Sequence, residues 1–142
     1  MTEQKLFDAL GGYTTLQRVH KIFYDKVYAH PWLKHFFLKH DQDVIERQQT
    51  SFMAEKFGGP DKFCGMPLKY AHEHMYITNE LVQVRQQLLH EALNEAGIQP
   101  DLIERWLRID SAFHKQVVKP SKEAFYAEHT FKARVIVEKP LD

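Results

Sequence analysis

Residues 58–76, GGPDKFCGMPLKYAHEHMY, interrupt a chain that elsewhere reads as helix. Gly58-Gly59-Pro60 and Gly65-Met66-Pro67 leave no room for a long helix here, because glycine and proline both punctuate regular structure. A connection of this length between helices is functional or disordered. Phe63, Met66, Leu68, Tyr70 and Met75 make this one too apolar for disorder. At its end Leu68-Lys69-Tyr70-Ala71 leads into His72.

Outward from this stretch the apolar spacing is helical. Residues 42–57 carry Val44, Ile45, Phe52, Met53 and Phe57 and stop at Gly58-Gly59. Residues 15–29 carry Leu16, Val19, Ile22, Phe23 and Val27, with Thr14 as the expected N-cap. Residues 3–10 predict a short first helix, and His30-Pro31 predicts another short one with proline in its first turn. On the far side, residues 79–96 carry Leu81, Val82, Leu88, Leu89 and Leu93, capped by Thr78 and ended by Gly97. Residues 100–118 carry Leu102, Ile103, Trp106, Leu107, Phe113 and Val117 between Pro100 and Pro120. Residues 121–129 predict one more short helix, and 131–137 an extended tail. The expectation is an all-α domain over 1–119 with a C-terminal extension over 120–142.

The whole chain has 142 residues, with Lys+Arg 19 balanced by Asp+Glu 19. One domain of this size buries roughly 70% of its unfolded surface and needs no staples. Zero net charge argues against nucleic acid as a partner, since phosphate binding draws on a clustered basic surplus. Cys64 is the single cysteine, which excludes an internal disulfide and a Cys-x-x-Cys site. No run of about 18 apolar residues predicts a membrane helix. MTEQKLFDAL lacks the pattern of a signal peptide, so a cytoplasmic location is expected.

Nine histidines raise the question of a metal, and ten phenylalanines that of a flat apolar ligand. Neither His-x-x-x-His nor Glu-x-x-His occurs, which argues against zincin-like and di-iron sites. His30, His35 and His40 are five apart, and each step turns about 140° around a helix. Most of the nine read as solvated or boundary residues. His72 stands apart in its apolar segment, either as a satisfied core histidine or as the one protein ligand that a haem requires. Gln48 and Gln49 occupy the missing rungs of the 44/45/52/53/57 stripe, and Tyr24 sits at the edge of the 16/20/23/27 stripe. Burying such groups without partners costs about 1–3 kcal/mol each. They bond to a neighbouring helix, or they face a polar ligand in an apolar cavity.

Taken together, these residues resemble the truncated haemoglobins, and most of all their group I. The resemblance spans about residues 5–118. It rests on Leu10-Gly11-Gly12, Phe23-Tyr24, His30-Pro31, Phe36-Phe37, Gln49 and Phe52. It continues through Phe57-Gly58-Gly59-Pro60, Gly65-x-Pro67, Ala71-His72, Ile77-Thr78 and Ala92-Leu93-x-x-x-Gly97. Phe37 stands where some other groups carry Tyr, and Arg85 where they carry Trp.

The resemblance implies a two-over-two helical sandwich around one haem b per chain. It implies His72 as the proximal iron ligand, with Phe37 packed on the haem face. Tyr24 and Gln49 are implied as distal donors, joined by Gln48. Ile45 stands where myoglobin-like globins keep a distal histidine. Phe36, Met53, Tyr70 and Ile77 are implied as pocket lining, and Lys69 as a partner for a propionate. Gln48 also takes the place of a histidine that ligates iron in some relatives, which argues against that sixth ligand. His114 lies near a histidine that bonds a haem vinyl in certain cyanobacterial relatives, but the alignment there needs a gap and the plainer reading is a boundary histidine.

The function implied is reversible binding of O2, with CO and NO as further ligands. The alternative is a haem enzyme, an NO dioxygenase or a peroxidase-like catalyst. NO turnover leaves ferric iron, and the chain has no Gly-x-Gly-x-x-Gly, so that reading requires an external reductase. A third reading is a haem-based gas sensor whose tail reports ligand state.

Overall fold

The structure, a computed structural model, describes residues 4–128 and 134–140. Its element order is α1 (Leu6–Leu10), α2 (Tyr13–Ala29), a 3-10 turn (Leu33–Phe36), α3 (Gln42–Lys56), α4 (Leu68–His72), α5 (Asn79–Glu95) and α6 (Pro100–Ser111). A second 3-10 turn (His114–Gln116) and α7 (Lys122–Glu128) follow. α2 packs against α3 and α5, and α5 packs against α6, so two antiparallel pairs, α2/α3 and α5/α6, lie over one another. The all-α expectation holds. This is the two-over-two sandwich.

The apolar spacing explains each long helix. Leu16, Val19, Phe23 and Val27 of α2 are all buried, as are Leu81, Leu89, Ala92 and Leu93 of α5 and Ile103 and Trp106 of α6. Trp106 sits at the joint of the two layers: Phe57 meets its ring edge-on at 4.9 Å and His20 at 5.6 Å. Asp41 caps α3 by accepting from the Asp43 amide, and Thr78 caps α5 by accepting from the Leu81 amide.

Several boundaries differ from the sequence reading. α2 starts at Tyr13, not beyond a Thr14 cap, because Gly12 stands at the cap position with φ +77°. Gly11 and Gly12 both have positive φ, and this lets α1 reverse directly into α2. The helix expected at His30-Pro31 is a 3-10 turn that starts at Leu33. His30 Nδ1 accepts from the amides of Trp32 and Leu33 and so holds the chain in a turn first. α6 ends at Ser111, not at 118. Val118 forms a parallel bridge with Ile77, and the Lys119 amide donates to the Ile77 carbonyl at 2.8 Å, which a helical backbone could not do.

The tail is extended where it is described, and residues 131–133 of the expected stretch lie outside the described residues. Val135 exchanges two backbone hydrogen bonds with the segment after α4, donating to the His74 carbonyl and accepting from the Tyr76 amide, both at 2.8 Å. The Trp32 indole donates to the Val137 carbonyl at 3.0 Å.

His20 departs from the expectation of a solvated or boundary residue. It is 1% exposed, with Nδ1 at 2.7 Å from the Thr50 hydroxyl. Burial drives its pKa down to about 3, helped by the Arg85 charge. The unfolded chain takes up this proton near pH 6.5 and the folded chain does not, so stability falls as pH drops from about 6.5 towards 3. Between pH 7 and pH 5 the loss is about 2 kcal/mol. Urea unfolding of the wild type and His20→Gln at both pH values checks this: the variant should show that much less acid destabilisation.

Candidate functional site

A cavity of about 560 Å³ opens between the two helix pairs. This lies within the range of small-molecule and cofactor sites. Its apolar wall includes Phe36, Phe37, Ile45, Phe52, Ile77 and Phe113. The interrupted stretch forms one side. After α3, Gly58 turns the chain at φ +89°, and Gly59 passes so close to α3 that a Cβ there would meet the Ala54 carbonyl at 2.8 Å. Phe63 then stands edge-on to Phe52 at 5.3 Å, and Phe52 to Phe113 at 5.2 Å.

His72 lines the cavity from the end of α4, whose five residues follow the cap Pro67. Leu68 and His72 are one turn apart, and His72 Nδ1 lies 2.8 Å from the Leu68 carbonyl. A carbonyl only accepts, so Nδ1 carries the proton and Nε2 keeps its lone pair. Burial lowers the His72 pKa, against the opposing effect of the Leu68 carbonyl, and the Arg85 and Lys119 charges lower it further. A neutral imidazole of fixed tautomer is the form that ligates a metal. Lys119 Nζ donates to the His72 carbonyl at 2.6 Å and holds the end of α4.

Tyr24 lines the same cavity from α2. It is buried, edge-on to Phe23 at 4.8 Å and to Phe37 at 6.1 Å. Burial raises its pKa, so the hydroxyl stays protonated and able to donate. No protein group among the described residues accepts that hydrogen bond. Gln48 and Gln49 line the cavity from α3, Gln49 half-buried and Gln48 exposed.

Of the residues expected at the site, the cavity therefore brings together Tyr24, Phe36, Phe37, Ile45, Gln48, Gln49, His72 and Ile77. Met53 stands instead in the core at 1% exposure, outside the wall. Lys69 lines a separate polar hollow with Glu73, Lys115 and Lys119. Tyr70 belongs to α4, but its side chain lies outside the described residues.

Sequence reasoning missed a charged cluster. Arg85 and Asp110 line the cavity and form a two-pronged pair, Nη1 to Oδ2 at 2.6 Å and Nη2 to Oδ1 at 3.0 Å. His114 Nε2 donates to the same Oδ2 at 3.3 Å. Burial disfavours the Asp110 charge, but Arg85 and His114 outweigh it and hold its carboxyl below the usual range. The signal lay in the stripes themselves: Arg85 occupies the 81/85/88/92 rung of α5, and Asp110 the 103/106/110 rung of α6.

His40, His74 and His114 also line the cavity, and the His72 tautomer is fixed by a backbone carbonyl. The donor set fits a haem: apolar walls, the His72 imidazole with its Nε2 lone pair kept, and a Tyr24 hydroxyl with no partner among the described residues. The comparisons agree. The family model described as bacterial-like globin matches residues 5–119. The chain belongs to this family, and within it to the truncated haemoglobins. A group 1 truncated haemoglobin of Tetrahymena pyriformis is 30% identical over 106 residues, which are 75% of this chain and 88% of that protein. One from Synechocystis is 30% identical over 102 residues, 69% of this chain and 82% of that protein. The crystal structure of the T. pyriformis protein in its Fe(III) form superposes with a TM-score of 0.76 at 29% identity, covering 81% of this chain and 98% of that one. Membership implies haem as the cofactor and gas binding as the function.

Removing one partner of the buried ion pair leaves the other charge stranded. Arg85→Leu should lower unfolding stability by about 3–5 kcal/mol, while Arg85→Leu/Asp110→Leu should recover most of it. Urea midpoints of the two variants check this.

Proposed function

We propose that this chain binds one haem b through His72 and reversibly binds O2 there, with CO and NO as competing ligands. Tyr24 carries this reading. A buried hydroxyl without a protein partner costs about 1–3 kcal/mol, which is offset when a ligand in the cavity accepts its proton. When bound, the haem iron supplies a coordination position for a diatomic gas.

The protein's own groups do the rest. His72 Nε2 holds the iron, and its orientation is kept by the Leu68 carbonyl on the other ring nitrogen. The Tyr24 hydroxyl and the Gln49 amide, joined by Gln48, donate hydrogen bonds to a polar ligand and slow its escape. Phe36, Phe37, Ile45 and Ile77 exclude water, which makes each donated bond stronger than it would be in solvent. Residues 1–119 carry this machinery, and the 120–142 extension braces the segment after His72 through Val135 and the turn after α2 through Val137, which accepts from the Trp32 indole.

His72→Ala should abolish or greatly weaken the Soret band of the haem-loaded protein; a normal ferrous ligand spectrum in that variant would overturn the assignment. Tyr24→Phe and Gln49→Leu should each speed O2 dissociation by several-fold or more, at about 1.4 kcal/mol per tenfold. Stopped-flow measurement on the double variant decides: an unchanged rate removes the donor role.

A further inference from the structure

A neutral gas does not need the Arg85–Asp110 pair. Burying a guanidinium and a carboxylate beside an apolar ligand cavity is unfavourable unless both are well bonded. Here the arrangement leaves capacity unused. A guanidinium has five N–H donors. Asp110 takes two and Gln86 Oε1 takes one, at 3.4 Å, so two N–H groups have no partner among the described residues. Asp110 is 5% exposed and Arg85 27%, and both line the cavity.

Arg85 is also held still. Its guanidinium carbon lies 5.3 Å from the centre of the Phe23 ring, and Asp110 fixes its far edge. His114 in turn fixes Asp110. Donors fixed before a ligand arrives need no reorganisation to meet negative charge, and a water-poor cavity strengthens that interaction. Arg85 acts electrostatically on both Tyr24 and His72, so its field spans the cavity from the α2 side to the α4 side.

We propose that Arg85 makes this cavity selective for small inorganic anions, such as fluoride and nitrite, as ligands of the ferric haem. The two spare N–H groups of Arg85 donate to the anion, and Asp110 serves as a positioning residue. The inference rests on the haem reading above.

Spectral titration of haem-loaded ferric protein with fluoride and with nitrite tests it, with CO binding to the ferrous form as the neutral comparison. The wild type should bind both anions at least about tenfold more tightly than Arg85→Leu/Asp110→Leu, or ~1.4 kcal/mol. CO affinity should differ by less than about threefold, since each 1.4 kcal/mol is a tenfold change and a neutral gas gains little from the charge. Equal anion affinities, or a CO affinity that falls as far as the anions do, would overturn the proposal. If the leucine pair does not fold, Arg85→Gln/Asp110→Asn keeps a hydrogen bond between the helices without the charge. The same weakening supports the proposal there, and wild-type anion affinity refutes it. A wild-type chain that takes up no haem fails at the earlier reading instead, recognisable by the missing Soret band, and this inference falls with it.

Discussion

A cavity of about 560 Å³ in a domain this small must be held open against collapse. Residues that line a cavity give up contacts with one another, so the packing elsewhere has to fix the helix pairs. The Trp106 joint does this. Its fully buried ring is met by Phe57 at the end of α3 and by His20 of α2, and His20 is tied to Thr50 of α3. Three helices, α2, α3 and α6, are thus tied together at one indole. The two helix pairs are fixed there, and residues of all four helices line the cavity.

The interrupted stretch works with that joint. Gly59 lies against the Ala54 carbonyl with no room for a Cβ, which brings residues 60–67 down along the open side of the sandwich. The chain then needs only the five residues of α4 to present His72. Such a short helix has little stability of its own. It is held by external contacts: Lys119 on the His72 carbonyl, Val118 paired with Ile77, and Val135 paired between His74 and Tyr76. The C-terminal extension is thereby part of the brace behind α4.

Much of this was legible in the residues. The 3.6-residue spacing located all four long helices, and the Gly/Pro breaks located the segment that walls the cavity. His72 stood out because it closes the apolar run Leu68-Lys69-Tyr70-Ala71 in a loop-rich setting. Tyr24, Gln48 and Gln49 stood out because polar groups broke apolar stripes. The same logic applied to rungs 85 and 110 would have found Arg85 and Asp110, but a lone charge on a stripe is ambiguous until its partner is known. The two residues are 25 apart in sequence, on different helices. His20 lies on the 16/20/23/27 stripe, but its burial was not legible for a related reason. Its burial depends on Thr50 and Trp106, neither of which is near it in the chain.

The sequence by itself determined what is local: helix positions, the caps at Thr78 and Gly97, the breaks at 58–67, and the family whose residue order they share. Those features follow from backbone propensities and short-range spacing, which any chain of this order carries wherever it folds. Only the tertiary structure decided which polar groups find partners. It bonded His20 to Thr50, paired Arg85 with Asp110, turned 117–119 out of helix to pair with Ile77, and left the Tyr24 hydroxyl in the cavity with no partner among the described residues. Partnering of buried polar groups is a property of distance in space, and the chemistry of this site depends on the Tyr24 hydroxyl and the His72 imidazole lining one cavity.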